Sequence, residues 1–198
     1  MIRLALKILF FVLLSYAAFA QNCKLVSGDK AGAIVLMNSQ NSLQSLTFPY
    51  FNKVVLVHFW SSSVPKSKAF IPRAQDLFDR YSETAYRNAE GFDIITIAVQ
   101  SDKTAWKQDL ADLKMEKGIH LIASKGYNDI SVCNFKIVQL PVTVLIDESG
   151  SVLLINPTQL QIEEILDSKK NSPPNTRDLN GMLLYAESKK DIVKNQRW

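Results

Sequence analysis

The 198-residue chain has only two cysteines and two histidines, and this shortage excludes several kinds of chemistry. Cys23 and Cys133 lie far apart in sequence, so they form no CxxC motif. The histidines, His58 and His120, have no cysteine placed beside them, and no metal-ligand spacing is present. The seven glycines form no glycine-rich phosphate loop. We therefore predict no metal and no other cofactor.

The chain also lacks a strong charge of either sign. Its formal net charge is +4, and subtracting Arg3 and Lys7, which belong to an N-terminal segment described below, leaves about +2. So small an excess gives no nucleic-acid footprint, and no nucleic-acid partner is predicted. Basic residues are concentrated in residues 170–198, which we interpret as a solvated, partly helical tail. The length suits one globular domain with a short appendage.

Residues 1–20 have the layout of a secretory signal peptide. Arg3 and Lys7 precede a short apolar run from Ile8 to Leu14, and the segment ends in the small-x-small pattern Ala18-Phe19-Ala20. We predict cleavage after Ala20 and export to the periplasm or the exterior, with no membrane span in the mature chain. Two alternatives are an uncleaved N-terminal anchor and lipidation at Cys23.

Export would place both cysteines where disulfides are permitted. Two interpretations remain open at this point. Cys23 and Cys133 pair and tie the N-terminal segment to the body of the protein, or Cys133 is a free thiol packed in the core and Cys23 is unpaired. The separation of the two residues in sequence does not decide between them.

Hydrophobic patterning predicts alternating strands and helices. The predicted strands are residues 33–37, 53–60, 92–100 and 119–122, and a hairpin closed by Glu148-Ser149-Gly150. The run at 53–60 is nearly continuously apolar and rich in valine, which predicts a central strand covered on both faces. The predicted helices are a Pro72-kinked helix from Pro65 to about Tyr86, one after the cap Ser101-Asp102, a short one at 129–135, one at 159–169 capped by Asn156-Pro157-Thr158, and one at 179–193. This order predicts an α/β fold, a mixed sheet with helices on both faces.

Four features of this order resemble one known family. A strand ends in Phe59-Trp60 and leads into the Pro72-kinked helix; a second strand ends in Gln100-Ser101-Asp102; Leu140-Pro141 opens a later strand; and the Ile146–Gly150 turn follows. The chain resembles the thioredoxin-like superfamily, in particular the TlpA/ResA branch of periplasmic thiol-disulfide oxidoreductases. The resemblance covers about residues 33–169, and each motif is weak by itself.

The resemblance implies a thioredoxin-like fold with an N-terminal strand extension and a C-terminal helical tail. It divides the chain into a signal peptide at 1–20, an N-terminal extension at 21–47, a thioredoxin-like domain at 48–169 and the tail at 170–198. The family also implies that Pro141 is a cis-proline and that His58 takes the place of a buried polar residue near the site.

The family's two catalytic cysteines are both replaced. Aligned without a gap, the first cysteine position is Val64 and the second is Ser67, with Pro65 and Lys66 between them. Thiol-disulfide exchange needs a thiolate nucleophile and a second thiol that resolves the mixed disulfide. Valine has no nucleophilic atom and a serine hydroxyl does not reduce disulfides, so we predict that this motif is redox-inactive and that no residue of it is catalytic.

Without the two cysteines, the resemblance still implies a surface that binds a peptide. Redox-active relatives hold an extended peptide beside the cis-proline, and the matching residues here are Ser63, Val64, Pro65, Leu140 and Pro141. The leading hypothesis is therefore an exported protein that binds another exported protein or peptide, or serves as an accessory module. A vestigial site on a structural scaffold is the plainest alternative.

Two enzymatic alternatives follow from single residues. A thiol-disulfide oxidoreductase would have to use Cys133 or Cys23, although we expect Cys133 to face the core on the helix before Pro141. A hydrolase would pair Ser67 with His58, but neither an orienting acid nor an oxyanion hole is visible in sequence. A histidine on a central strand is more often a hydrogen-bonded core residue.

Overall fold

The structure is a computed structural model that describes residues 24–48 and 52–171. The predicted signal peptide, Cys23, the helix at 179–193 and the basic tail beyond residue 171 lie outside the described residues. The seven strands are β1 (Ile34–Asn38), β2 (Leu43–Leu46), β3 (Val54–Trp60), β4 (Phe92–Val99), β5 (Ile119–Ala123), β6 (Val142–Ile146) and β7 (Val152–Ile155). The five α-helices are α1 (Pro65–Lys68), α2 (Ile71–Tyr81), α3 (Lys103–Asp112), α4 (Ile130–Asn134) and α5 (Gln159–Lys169).

All seven strands join in one mixed sheet in the order β2-β1-β5-β4-β3-β6-β7. Strands β3, β4 and β5 run parallel, while β6 is antiparallel to β3 and β7 antiparallel to β6. The parallel direction brings the carboxyl ends of β3, β4 and β5 to one edge, and the antiparallel start of β6 lies at the same edge. The predicted α/β fold with a central mixed sheet is confirmed.

The sheet is covered on both faces because its central strands are apolar on both sides. All seven residues of β3 are buried. Val55, Val57 and Phe59 pack into one apolar cluster, whereas Val54 and Leu56 pack into another that also contains residues of α2 and α5. A near-continuous apolar run is what a strand buried on both faces requires.

The predicted N-terminal extension adds strands to this same sheet. The β1–β2 hairpin pairs through β1 with the end of β5, at Met37–Ile122 and Asn38–Leu121. Its turn is held by the Asn38 side chain, whose Oδ1 accepts hydrogen bonds from the backbone N–H groups of Gln40 and Ser42.

The single kinked helix predicted from Pro65 is instead two helices, and this part of the prediction was wrong. Helix α1 ends at Lys68 and α2 begins at Ile71. Proline at position 72 has no backbone N–H to donate to the carbonyl four residues earlier, so a continuous helical ladder is interrupted here. Helix α2 also ends at Tyr81 rather than near Tyr86, which instead forms a β-bridge with Lys170.

The other helices follow their predicted caps. Asp102 accepts a hydrogen bond from Ala105 N–H at the start of α3, and Thr158 and Gln161 form a capping box on α5. In the described ranges, no helix is both long and apolar enough to cross a membrane.

Candidate functional site

The end of β3 leads through residues 61–64 into α1, and this loop uses its backbone donors internally. Ser61 N–H donates to Ser67 Oγ at 3.2 Å, and Ser62 N–H donates to Gln100 Oε1 at 2.6 Å. Ser63 N–H donates to Ser61 Oγ at 3.4 Å, and Val64 N–H donates to Ser61 O at 3.0 Å. Four consecutive N–H groups are therefore already bonded.

The Leu140–Pro141 peptide bond is cis, as the family resemblance implies. Val142 pairs with Phe59 in the β3–β6 ladder, so Pro141 lies next to the end of β3 and the loop that follows it. The structure thus brings together at one sheet edge the five residues predicted to line a groove: Ser63, Val64, Pro65, Leu140 and Pro141. We call this set the Pro141 groove. Ser63 and Pro65 are exposed, and the other three are half-buried.

Leu140 has backbone groups that are free to pair. Within the described part of the chain, neither the N–H nor the C=O of Leu140 makes a hydrogen bond. Val138, two residues earlier, is 77% exposed. Unpaired backbone groups beside an exposed apolar side chain can pair with the backbone of an incoming peptide strand.

Ser67 occupies the second cysteine position and is fully buried. Its hydroxyl donates toward two carbonyl oxygens, Ser61 O at 2.9 Å and Val64 O at 2.6 Å, and accepts from Ser61 N–H. The Ser67 hydroxyl therefore closes the loop onto the first turn of α1. A buried polar group held by three contacts is a structural element rather than an exposed nucleophile.

His58 is buried beneath the site, 2% exposed, and is hydrogen-bonded through both ring nitrogens. Nε2 lies 2.8 Å from Ser67 O and Nδ1 lies 2.9 Å from Thr143 Oγ1. A carbonyl oxygen only accepts, so Nε2 carries the proton and Nδ1 accepts from the Thr143 hydroxyl. Burial lowers the pKa of His58 from 6.5 to about 4, with the hydrogen bond to Ser67 opposing the change.

The geometry does not support the hydrolase alternative. His58 contacts the backbone carbonyl of Ser67, whereas the Ser67 hydroxyl points to Ser61 O and Val64 O. The second histidine partner is Thr143, which is not an acid. The four N–H groups of the loop are occupied, so they form no oxyanion hole.

Cys133 is exposed, and the expectation that it faces the core was wrong. Helix α4 has only five residues, and its buried side chains, Ser131 and Val132, already occupy the side that faces β1 and the core. Cys133 points away from that side, and its thiol lies 3.3 Å from the Tyr127 carbonyl oxygen. Its thiol is free in the structure, and Cys23, the other half of the predicted bridge, is outside the described residues.

His120 is at the other end of β5 from the site. Its Nδ1 lies 2.9 Å from Thr96 Oγ1, and burial lowers its pKa from 6.5 to about 4. No group of three or more potential metal ligands occurs among the residues the structure describes.

A polar cleft beside the Pro141 groove was not predicted as a site. Its volume is about 390 Å³, and its walls are Ser61, Ser62, Ser63, Gln100, Ser101, Asp102 and Ala105. The signal in the sequence was that polar residues follow both β3 and β4. Parallel neighbouring strands end at one edge, so such residues converge there.

Similarity to known proteins agrees with this architecture. A family model described as Thioredoxin-like matches residues 52–152, half of the chain. No curated protein matches the chain with significance.

Solved structures of thiol-disulfide enzymes share the fold at low sequence identity. The thioredoxin domain of a thiol-disulfide oxidoreductase from Bacteroides vulgatus has 19% identity and a TM-score of 0.63, covering 72% of this chain and 99% of that chain. A thiol:disulfide interchange protein from Bacteroides sp. has 19% identity and a TM-score of 0.57, covering 77% and 95%. A candidate interchange protein DsbE from Chlorobium tepidum has 21% identity and a TM-score of 0.59, covering 72% and 96%.

At such low identity these solved structures show only that the fold is shared. The family model covers the strand-helix junction, the buried histidine and the cis-proline described above. The chain therefore belongs to the Thioredoxin-like family.

Proposed function

We propose that this is an exported thioredoxin-like protein that binds an extended peptide in the Pro141 groove and performs no dithiol chemistry at Val64–Ser67. The observation that carries the proposal is the pairing of a thiol-free motif with an open cis-proline segment. Val64 offers no nucleophile, Ser67 is buried, and the N–H and C=O of Leu140 are unpaired. Export is proposed from the pattern of residues 1–20.

Peptide binding follows from the backbone and the apolar wall. An incoming strand would pair with the free N–H and C=O of Leu140, because hydrogen bonds of this kind do not depend on the sequence of the ligand. Val64 and Pro65 supply an apolar surface beside it, where redox enzymes of the fold carry a cysteine. The site thus keeps the peptide-binding surface of the family without its two thiols.

The absence of redox activity is tested by insulin reduction with the mature chain that starts at Gln21. We expect turbidity to develop no faster than with dithiothreitol alone. Clear turnover that survives removal of other thiol enzymes would contradict the proposal, and a Cys133→Ser variant then identifies the thiol responsible.

Peptide binding is tested by selecting a phage-displayed random peptide library against the same protein and synthesising the enriched peptides. Val64→Asp should weaken their binding at least tenfold, since it places a charge in the apolar wall. Leu43→Asp is the matched control, because Leu43 is 63% exposed on β2, an edge strand that lies four strands from β3. Equal loss in both variants, or no enrichment, would refute a groove-specific site.

One observation favours a second candidate, a thiol-disulfide exchange function at Cys133. Its thiol is exposed, so a partner's disulfide has access to it. A single thiol forms a mixed disulfide but has no resolving partner among the described residues. The first test is whether oxidised glutathione forms a stable mixed disulfide with the protein and whether Cys133→Ser abolishes it. The second is turnover in the insulin assay. A mixed disulfide without turnover would show that Cys133 is a reactive but non-catalytic thiol.

A further inference from the structure

The polar cleft at residues 61–63 and 100–105 adjoins the Pro141 groove through Ser63, which belongs to both. One of its lining side chains is Gln100, whose hydrogen-bonding capacity is fully used. Oε1 accepts from Ser62 N–H and the Ser61 hydroxyl, at 2.6 and 3.1 Å. Nε2 donates to the Ser62 hydroxyl and to Asp102 O, each at 2.9 Å. Gln100 is therefore a fixed wall and not a group that turns toward a ligand.

The directions of these bonds determine the neighbouring hydroxyls. The Ser61 proton is donated to Gln100 Oε1, so in the contact of 3.0 Å between Ser61 and Ser63 the Ser63 hydroxyl is the donor. The lone pairs of Ser63 Oγ then remain available at the exposed mouth of the cleft. The cleft presents an acceptor at the point where it meets the groove.

The cleft is poorly equipped for an anion, because the carboxylate of Asp102 already caps the N-terminus of α3 at its wall. The backbone N–H groups of residues 61–64 are all bonded within the loop, so none is left to receive an oxyanion. No lysine or arginine is among the residues that line the cleft. Anion sites in proteins rely on such donors.

The cleft offers a cation hydrogen-bond acceptors and a negative charge. Asp102 Oδ1 accepts from Ala105 N–H at 2.9 Å, and Oδ2 has no hydrogen-bond partner within the described residues. Asp102 Oδ2, Ser63 Oγ and the rotatable Ser101 hydroxyl are acceptors around a cavity of about 390 Å³ that carries one formal negative charge. Ammonium and guanidinium groups consist of donors only, so they match this set.

We propose that the cleft is a side-chain pocket that receives the ammonium or guanidinium group of a lysine or arginine in the peptide bound along the Pro141 groove. This inference rests on the proposed function for its ligand, but the pocket itself is testable without a peptide. Asp102 supplies the charge, Ser63 supplies a hydroxyl acceptor, and Gln100 holds the walls in place.

The first experiment titrates ¹⁵N-labelled mature protein with Nα-acetyl-lysine methylamide and with the uncharged Nα-acetyl-norleucine methylamide. We expect saturable amide shifts at Ser62, Ser63 and Ala105 with the lysine compound and no saturable shifts there with norleucine. Asp102→Asn should weaken the lysine binding about threefold to fivefold, as for a partly exposed ion pair. Asparagine also caps helices well, so α3 should remain folded.

The matched control is Asp112→Asn, which removes the same charge at the other end of α3 and should leave binding unchanged. Equal shifts with the two compounds, or equal weakening by the two variants, would overturn the pocket.

A second experiment uses the selected groove peptides, with one guest position at a time carrying Lys, Arg, norleucine or Glu. We expect one position at which Lys and Arg bind best and Glu worst, and at which Asp102→Asn removes the preference. If peptides bind and respond to Val64→Asp but show no such position, the pocket is wrong and the groove stands. If lysine methylamide binds the cleft but no peptide is selected, the groove is wrong and the pocket binds free cationic groups.

Discussion

The buried histidine beneath the motif predicts how the stability of the protein depends on pH. Burial lowers the pKa of His58 from 6.5 to about 4. The folded protein therefore resists the protonation that the unfolded chain accepts, so the contribution of neutral His58 is complete above pH 6.5 and is lost as the pH falls toward 4. His58→Gln removes the titration and keeps an N–H that can donate to Ser67 O.

The size of the effect follows from the two pKa values. The difference of about 2.5 units limits the total loss to about 3 kcal/mol, since one unit corresponds to about 1.4 kcal/mol. Between about pH 7.5 and pH 5 the loss amounts to about 2 kcal/mol, because the unfolded histidine is almost fully protonated at the lower pH and the folded one is not. His120 contributes in the same direction, but it is present in both proteins and cancels in the comparison.

The measurement is urea unfolding of wild type and His58→Gln at these two pH values, followed by intrinsic fluorescence. We expect the free energy of unfolding of wild type to fall by about 2 kcal/mol more than that of the variant. Parallel changes in the two proteins would show that His58 is protonated as readily in the folded protein as in the unfolded chain. The assigned burial and tautomer would then be wrong.

Three further predictions concern the loop and the sheet. Ser67→Ala should lower the free energy of unfolding by about 1–3 kcal/mol in urea titrations, because the Ser61 N–H loses its buried acceptor; a change below about 0.5 kcal/mol would contradict this role. Gly118→Ala should cost about 2–4 kcal/mol, since φ is +85° and an added Cβ would lie 2.6 Å from the Ile94 carbonyl oxygen. The double variant Val64→Cys/Ser67→Cys should form a disulfide and gain insulin-reducing activity. The Ser67 N–H donates to Val64 O at 2.9 Å, and this turn keeps the two Cα atoms within about 7 Å, close to disulfide range.

Each of these predictions has a matched control. Ser63→Ala alters an exposed hydroxyl at the same loop and should have little effect on stability. Gly126 has φ of +61° but no atom within 4 Å of an added Cβ, so Gly126→Ala should cost only about 1 kcal/mol. The single variant Ser67→Cys has no second thiol at the motif and should not reduce insulin; reduction by it, or none by the double variant, would show that the motif geometry differs from that of the redox enzymes.

Much of the fold was predictable because local sequence patterns, such as apolar runs and helix caps, determine where strands and helices form. The valine-rich run of β3 predicted a strand buried on both faces, and Asp102 and Thr158 predicted where two helices begin. The break between α1 and α2 was harder to place. Pro72 shows that a helix is interrupted, but the end of α1 at Lys68 depends on how the loop closes through Ser67.

The side-chain directions at the site were less predictable. Cys133 was expected to face the core, but each helical position turns the side chain by about 100°. In this five-residue helix Ser131 and Val132 occupy the buried side, and Cys133 falls outside it. The role of Ser67 as a loop anchor also depends on contacts with residues six and three positions away. The polar cleft is formed by residues that follow two different strands.

The sequence by itself determined the chemistry that this motif lacks. Val64 and Ser67 carry no thiol in any conformation, so dithiol exchange is absent from the motif whatever the fold. Only the tertiary structure decided what remains there. Parallel strands bring Gln100 and Asp102 beside Ser63, and the antiparallel start of β6 brings Pro141 and the unpaired Leu140 to the same edge. Proximity between distant residues is set by strand pairing and packing, which local patterns do not contain.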